Sequence, residues 1–217
     1  MGTVQRPAIA PLLLVTQRPE QGAILAEARA FFEGGGRWVQ LRMKEAAAEE
    51  IVRVAEALRK LCGDYDAILS INDNPQVAKR VGAHGVHLGR NDTPPAEARA
   101  LLGQAALIGA TANTAEDVRR LSSIDIDYIG LGPYRFTTTK KGLSPVLGIA
   151  GYEAILAGTA SLPFLKPILA IGGIGPDDIP LLQAVGIERF AVSGAIANAS
   201  CPTAATAEFL EKIIRRK

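Results

Sequence analysis

Cysteine is nearly absent from this chain of 217 residues: Cys62 and Cys201 stand alone, with no CxxC pair and no metal-ligand spacing. A disulfide framework and a structural zinc site are thereby excluded, and a reducing cytoplasm is the expected compartment. A surplus of one charge is also missing. The 24 basic and 22 acidic residues leave a net charge of +2, without a long basic run to follow nucleic acid or an anionic membrane. No apolar stretch approaches the roughly 20 residues of a membrane span. Residues 1–11 lack a basic segment followed by an apolar one, and are expected to form a short flexible lead. Histidine is limited to His84 and His87, and no GxSxG elbow, HExxH pair or Cys/His dyad occurs. Proton relays and covalent intermediates therefore lack their usual residues, which leaves charge placement as the resource of any active site.

With 48% hydrophobic and 21% charged residues, the composition is that of an ordinary globular protein, and the length suits one domain over 1–217. Short apolar, β-branched runs alternate eight times with longer alanine-rich amphipathic stretches. Strands are expected over Leu12–Thr16, Trp38–Arg42, Ala67–Asn72, Gly85–Leu88, Leu107–Thr111, Tyr128–Leu131, Ile168–Ile171 and Phe190–Ser193. The recurrence of Ile51, Val54, Ala55 and Leu58 predicts a helix over Ile51–Cys62. Thr114 with Asp117 caps a helix through Leu121, and Pro176-Asp177-Asp178 opens one through Val185. Eight consecutive units predict an α/β fold, a single (β/α)8 TIM barrel, rather than an open doubly wound sheet.

Chemistry in such a barrel belongs where strands end. After the second strand, Gln40, Arg42 and Lys44 share one period-two face, and Leu41 and Met43 the other. The planar fork of Arg42 and the compact charge of Lys44 suit phosphate oxygens, although solvated surface charges have the same look. Asp73 and Asp92 leave neighbouring strands about 4.8 Å apart and can approach one Mg2+ from two sides, or serve as turn and capping residues. The link from Gly132 to Gly142 exceeds the usual 2–6 residues of a βα connection and is a candidate lid. Bare glycine amides at Gly172-Gly173 and Gly194, after the seventh and eighth strands, favour an anion.

These motifs, in this order, resemble the thiamine phosphate synthase family: Gln40-Leu41-Arg42-Met43-Lys44, Asn72-Asp73, Gly85-Val86-His87-Leu88-Gly89 with Asp92, Gly130-Leu131-Gly132-Pro133, Thr137-Thr138-Thr139-Lys140 and Ala170-Ile171-Gly172-Gly173-Ile174. The resemblance runs from Leu14 to about Ala197. It implies a transferase of thiamine biosynthesis that joins hydroxymethylpyrimidine diphosphate to a thiazole phosphate and releases pyrophosphate, with Mg2+ as cofactor. By that resemblance Gln40, Leu41, Arg42, Met43, Lys44, Asn72, Thr111 and Lys140 bind the pyrimidine diphosphate, with Arg42, Lys44 and Lys140 in the catalytic role. Asp73 and Asp92 hold the metal, and Thr137, Thr138, Thr139, Gly173, Ser193 and Gly194 receive the thiazole phosphate. The expected partners are these small molecules, with a homo-oligomer neither required nor excluded. Several positions depart from the family pattern: Thr111 stands where a serine is usual, Asn113 where histidine is common and Gly194 where serine is usual. Arg135 and Thr138 make the lid more polar than its common proline-containing version. A thiazole tautomerase, a related barrel, lacks this metal pair and uses a histidine at the position of Asn113. A non-catalytic effector-binding barrel and a phosphosugar isomerase fit less well, the latter for want of a base.

Overall fold

Successive side chains of each strand point to opposite faces, and here both faces are apolar enough to be buried. In the computed structural model, which describes residues 6–18, 20–136 and 145–215, the strands β1 (Leu12–Val15), β2 (Trp38–Leu41), β3 (Ile68–Asn72), β4 (Gly85–Leu88), β5 (Leu107–Ala112), β6 (Tyr128–Leu131), β7 (Ile168–Ile171) and β8 (Arg189–Val192) run parallel in sequence order. Pairing of β1 with β8, Leu13 opposite Ala191, closes the barrel. All eight expected strands are present, with ends moved by a residue or so. One parity of the strands, including Val39, Leu41, Leu69, Ile71, Val86 and Leu88, packs outward into the main core. The other, including Leu13, Val15, Trp38, Tyr128, Leu169 and Ala191, fills the interior.

Two aromatic rings make the floor of that interior. Trp38 and Tyr128 meet edge to face with centroids 5.0 Å apart, and the Trp38 indole donates to Ser70 Oγ at 2.8 Å. The Tyr128 ring leaves no room for a side chain on the next strand: a Cβ on Gly109 would lie 2.0 Å from it. Ile9 and Ala10 pack against the same cluster from below.

The bottom end is tied by charge. Asp127 accepts from Ile108 N (2.7 Å), Arg99 Nη2 (2.7 Å) and Arg6 Nη1 (2.5 Å), and Arg99 also donates to Ala106 O at 2.6 Å. Residues 6–11, expected as part of a flexible lead, are thus held by Arg6 at one end and by the Phe190 N to Pro11 O bond at the other.

Helix α2 (Ala48–Asp64) outruns its expected span at both ends, with Glu49 and Glu50 in the first turn complementing the helix dipole. Helix α5 (Ala115–Ser122) begins as expected, its Thr114 hydroxyl accepting from Asp117 N at 3.1 Å. The helix expected from Pro176 to Val185 is instead a 3-10 turn over Pro176–Asp178 followed by α7 (Ile179–Ala184). Pro180 explains the change, since it has no N–H to return to Pro176 and the first turn tightens. No helix among the described residues is long and apolar enough to cross a membrane.

Candidate functional site

Above the aromatic floor the interior parity turns polar. Gln40 Nε2 donates to Asn72 Oδ1 at 2.7 Å. The two ring nitrogens of His87 lie 3.0 Å from Thr111 Oγ1 and 3.2 Å from the Tyr128 hydroxyl. Space for the imidazole comes from Gly130, whose Cβ would sit 2.8 Å from His87 Cε1. Gln40, Asn72, His87 and Thr111 line the bottom of a cavity of about 1030 Å3 that opens at the C-terminal ends of the strands.

One wall of the cavity concentrates charge. Arg42 and Lys44 leave β2, Asp73 follows β3, and Asp92 sits on the loop after β4. Asp73 adopts a left-handed backbone conformation, φ 62°, and its amide donates to His87 O at 2.8 Å. Few non-glycine residues take that conformation, and Asp is among those that tolerate it. Asp92 turns back so that Oδ2 accepts from Gly89 N at 2.6 Å, which a Cβ at Gly89 would obstruct. It therefore fills the turn role and still faces the cavity.

The Asp92 carboxyl is close enough to disturb that of Asp73. Burial, then the hydrogen bond and charge of Asp92, push Asp73 up to about 6, while Lys44 Nζ, 3.7 Å from Asp73 Oδ2, and Arg42 pull the other way. Burial in turn draws the Arg42 guanidinium below its usual value, against the attraction of Asp73. Among the described residues no group of three or more His, Cys, Asp or Glu is arranged to hold a metal. Two adjacent hard-oxygen donors beside two cations nevertheless fit Mg2+, which is typically held by one or two carboxylates with substrate phosphates completing its shell.

Leu41 and Met43 do not join this wall. Leu41 is buried in the layer between strands and helices, and Met43 packs against the same core, because they occupy the outward parity. Their side chains therefore lie outside the cavity lining.

The opposite wall carries bare backbone. Gly172 (φ 99°) and Gly173 (φ 66°) turn after β7, and Ser193 and Gly194 follow β8. Ser193 Oγ lies 3.4 Å from Gln17 Oε1, and Gln17 Nε2 donates to Asn198 Oδ1 at 3.1 Å. Thr137, Thr138, Thr139 and Lys140 lie outside the described residues.

Cavity residues that strand-end reasoning passed over or did not assign are Gln17, His87, Arg90, Asn113, Arg135 and Asn198. Parity would have found His87, which alternates with Gly85 and pairs in register with Asn72. Gln17 closely follows β1 and Asn113 follows β5, so the strand-end rule extended to every strand would have found them. Asn198 comes from beyond a short helical turn and carries no such signal.

The sequence matches the thiamine monophosphate synthase family over residues 12–196. Thiamine-phosphate synthase of Bacteroides fragilis is 47% identical over 199 residues, covering 92% of this chain and 98% of that one. The structure of a thiamine phosphate pyrophosphorylase from Pyrococcus furiosus superposes with a TM-score of 0.79 at 29% identity, covering 93% of this chain and 94% of that one. A 3-hexulose-6-phosphate synthase shares the fold, with a TM-score of 0.70 at 18% identity over 94% of this chain and 99% of that one.

Proposed function

The chain belongs to the thiamine monophosphate synthase family, a family of transferases, and from that premise we propose that it couples 4-amino-2-methyl-5-(diphosphooxymethyl)pyrimidine with a thiazole phosphate, releasing thiamine phosphate and pyrophosphate. The observation that carries this reading is the pairing of Asp73 and Asp92 beside Arg42 and Lys44 on one wall of the cavity, across from the glycine turns. A diphosphate leaving group needs positive charge around its oxygens, and the first wall is where this chain can concentrate it.

Gln40 and Asn72, already bonded to each other, present amide groups to the pyrimidine ring and orient it from below. Thr111 adds a hydroxyl held by His87. Arg42 and Lys44, with Lys140, take the diphosphate oxygens, and fixed cations there favour departure of the leaving group as charge develops on it. Leu41 and Met43, with side chains in the helix layer, have only main-chain groups to offer. Asp73 and Asp92 would hold Mg2+, which would supply charge neutralisation to the leaving diphosphate. The electron-rich aminopyrimidine delocalises positive charge as its exocyclic carbon–oxygen bond breaks, and the thiazole nitrogen forms the new bond to that carbon. Gly173, Ser193 and Gly194, with Thr137, Thr138 and Thr139, hold the thiazole phosphate so that its nitrogen faces the carbon, a positioning contribution that acts beside the electrostatic one. No strong base is required, in keeping with a cavity whose one imidazole is already engaged by Thr111 and Tyr128.

The test is direct. Purified protein mixed with Mg2+ and both substrates is expected to yield thiamine phosphate and pyrophosphate in equal amounts, and absence of product at saturation overturns the reading.

A further inference from the structure

We propose that Arg135 and Asp178 form a latch of positioning residues that fixes the glycine turn after β7 and thereby sets the affinity for the phosphorylated thiazole. The inference rests on the proposed function and adds to it two residues and a division of labour between the walls.

The segment leaving β6 lies directly on the turn leaving β7. Tyr134 N donates to Ile171 O at 2.8 Å and Arg135 N to Gly172 O at 2.9 Å. The approach is so close that a Cβ on Gly172 would meet Pro133 Cβ at 2.7 Å, and one on Gly173 would meet Arg135 Cβ at 2.9 Å. The other end of the β6 connection returns to the same place, with Leu147 N on Pro133 O at 2.9 Å and Gly148 N on Tyr134 O at 3.0 Å. Arg135 is therefore itself held on the turn by its main chain, and its guanidinium adds a second tie.

That second tie is to Asp178. Arg135 Nη1 donates to Asp178 Oδ2, and the guanidinium carbon rests 4.8 Å above the Tyr134 ring. Asp178 is a buried carboxylate at the start of α7, and the same oxygen accepts from Gly175 N at 2.8 Å. One carboxylate thus joins both ends of a contact: the far side of the glycine turn through Gly175, and the segment lying on that turn through Arg135. Burying it without the guanidinium would leave its charge uncompensated. The cation and carboxylate wall over β2 to β4 shares none of these bonds, so loosening the latch displaces Gly173 and leaves Arg42, Lys44, Asp73 and Asp92 in place.

Arg135→Gln, Asp178→Asn and the double variant are to be compared by steady-state kinetics with each substrate varied in turn. Each single variant is expected to raise the KM for the thiazole phosphate about tenfold, with the double no worse than the singles because the two residues act as one unit. The KM for the pyrimidine diphosphate stays within about twofold, and Arg135→Lys recovers most of the loss. Melting temperature moves little in Asp178→Asn, which removes the buried charge, and falls in Arg135→Gln, which leaves that charge without its counter-ion, so the KM comparison is made below both transitions. Asp178→Asn is isosteric and keeps an oxygen for Gly175 N, so folding is preserved. Normal thiazole affinity in Asp178→Asn alongside a loss in Arg135→Gln would mean that Arg135 touches substrate directly and would overturn the latch. Equal rises in both KM values, or additive losses in the double variant, overturn it too. A wild type that makes no thiamine phosphate overturns the functional reading itself, and this role with it.

Discussion

The bottom of the barrel and the β2 to β4 wall of its mouth handle charge in opposite ways. At the bottom, Asp127 and Arg99, each with a side chain only 7% exposed, are matched in sign and tied further by Arg6, Asp125 and backbone groups of Ile108 and Ala106. At the mouth, Asp73 and Asp92 set like charges together, with Asp73 in a left-handed conformation and its carboxyl pushed up to about 6. Charges that complete each other hold a structure together, while an incomplete set is a place for a ligand. The same fold thus separates stability from function along its axis.

Substitution at each end should break that separation in a different observable, the mouth more strongly. Asp73→Asn and Asp92→Asn are each expected to lower kcat/KM on the order of 10²-fold and to weaken Mg2+-dependent binding of the pyrimidine diphosphate, measured by calorimetry across a Mg2+ titration. Asparagine keeps the left-handed backbone of Asp73 accessible, and relieving the like-charge pair leaves the melting temperature unchanged or slightly higher. Wild-type affinity in both variants would remove the metal assignment. At the bottom, Asp127→Ala leaves buried Arg99 with only the half-exposed Asp125 as counter-charge and Ile108 N without its acceptor, and should destabilise by about 3 kcal/mol, or roughly 10 °C in melting temperature, with kcat/KM near wild type below the transition. A variant that melts normally but loses activity would show that the ends are not independent.

What could be read from sequence follows the range of the physics involved. All eight strands were legible because period-two alternation and burial of both faces are local properties, and Gln40, Arg42 and Lys44 were placed on one face by the same count. The outward direction of Leu41 and Met43 followed from that parity as well, against the family resemblance that grouped all five residues. The 3-10 turn at Pro176 was legible in principle from Pro180. Contacts between distant segments were not: Arg6 meets Asp127 across 121 residues, and Asn198 reaches Gln17 across 181. Parity places His87 on the interior face, but its contacts with Thr111 and Tyr128, from β5 and β6, are not legible from sequence.

Glu27 sharpens the comparison, being buried like the charges at the bottom and unmatched like those at the mouth. It lies on α1 (Gln21–Glu33) at 6% exposure, and neither carboxylate oxygen meets hydrogen-bond geometry with a described residue. Burial pushes its carboxyl up to about 7, and Arg18 and the nearby Gln17 backbone offset only part of that rise. An unfolded glutamate titrates near ~4.3, so between roughly pH 4 and 7 the folded protein keeps a proton that the unfolded chain has released. Stability therefore falls as pH rises through this window, and the full penalty is reached above about pH 7. Glu27→Gln removes the ionisation and should gain about 1–2 kcal/mol over wild type at pH 8, less than the whole shift because an amide remains buried, with little difference near pH 4. Urea denaturation at the two pH values measures it. Parallel pH dependence in variant and wild type would mean that Glu27 ionises freely in the folded state, and that the barrel tolerates an unmatched charge outside its mouth.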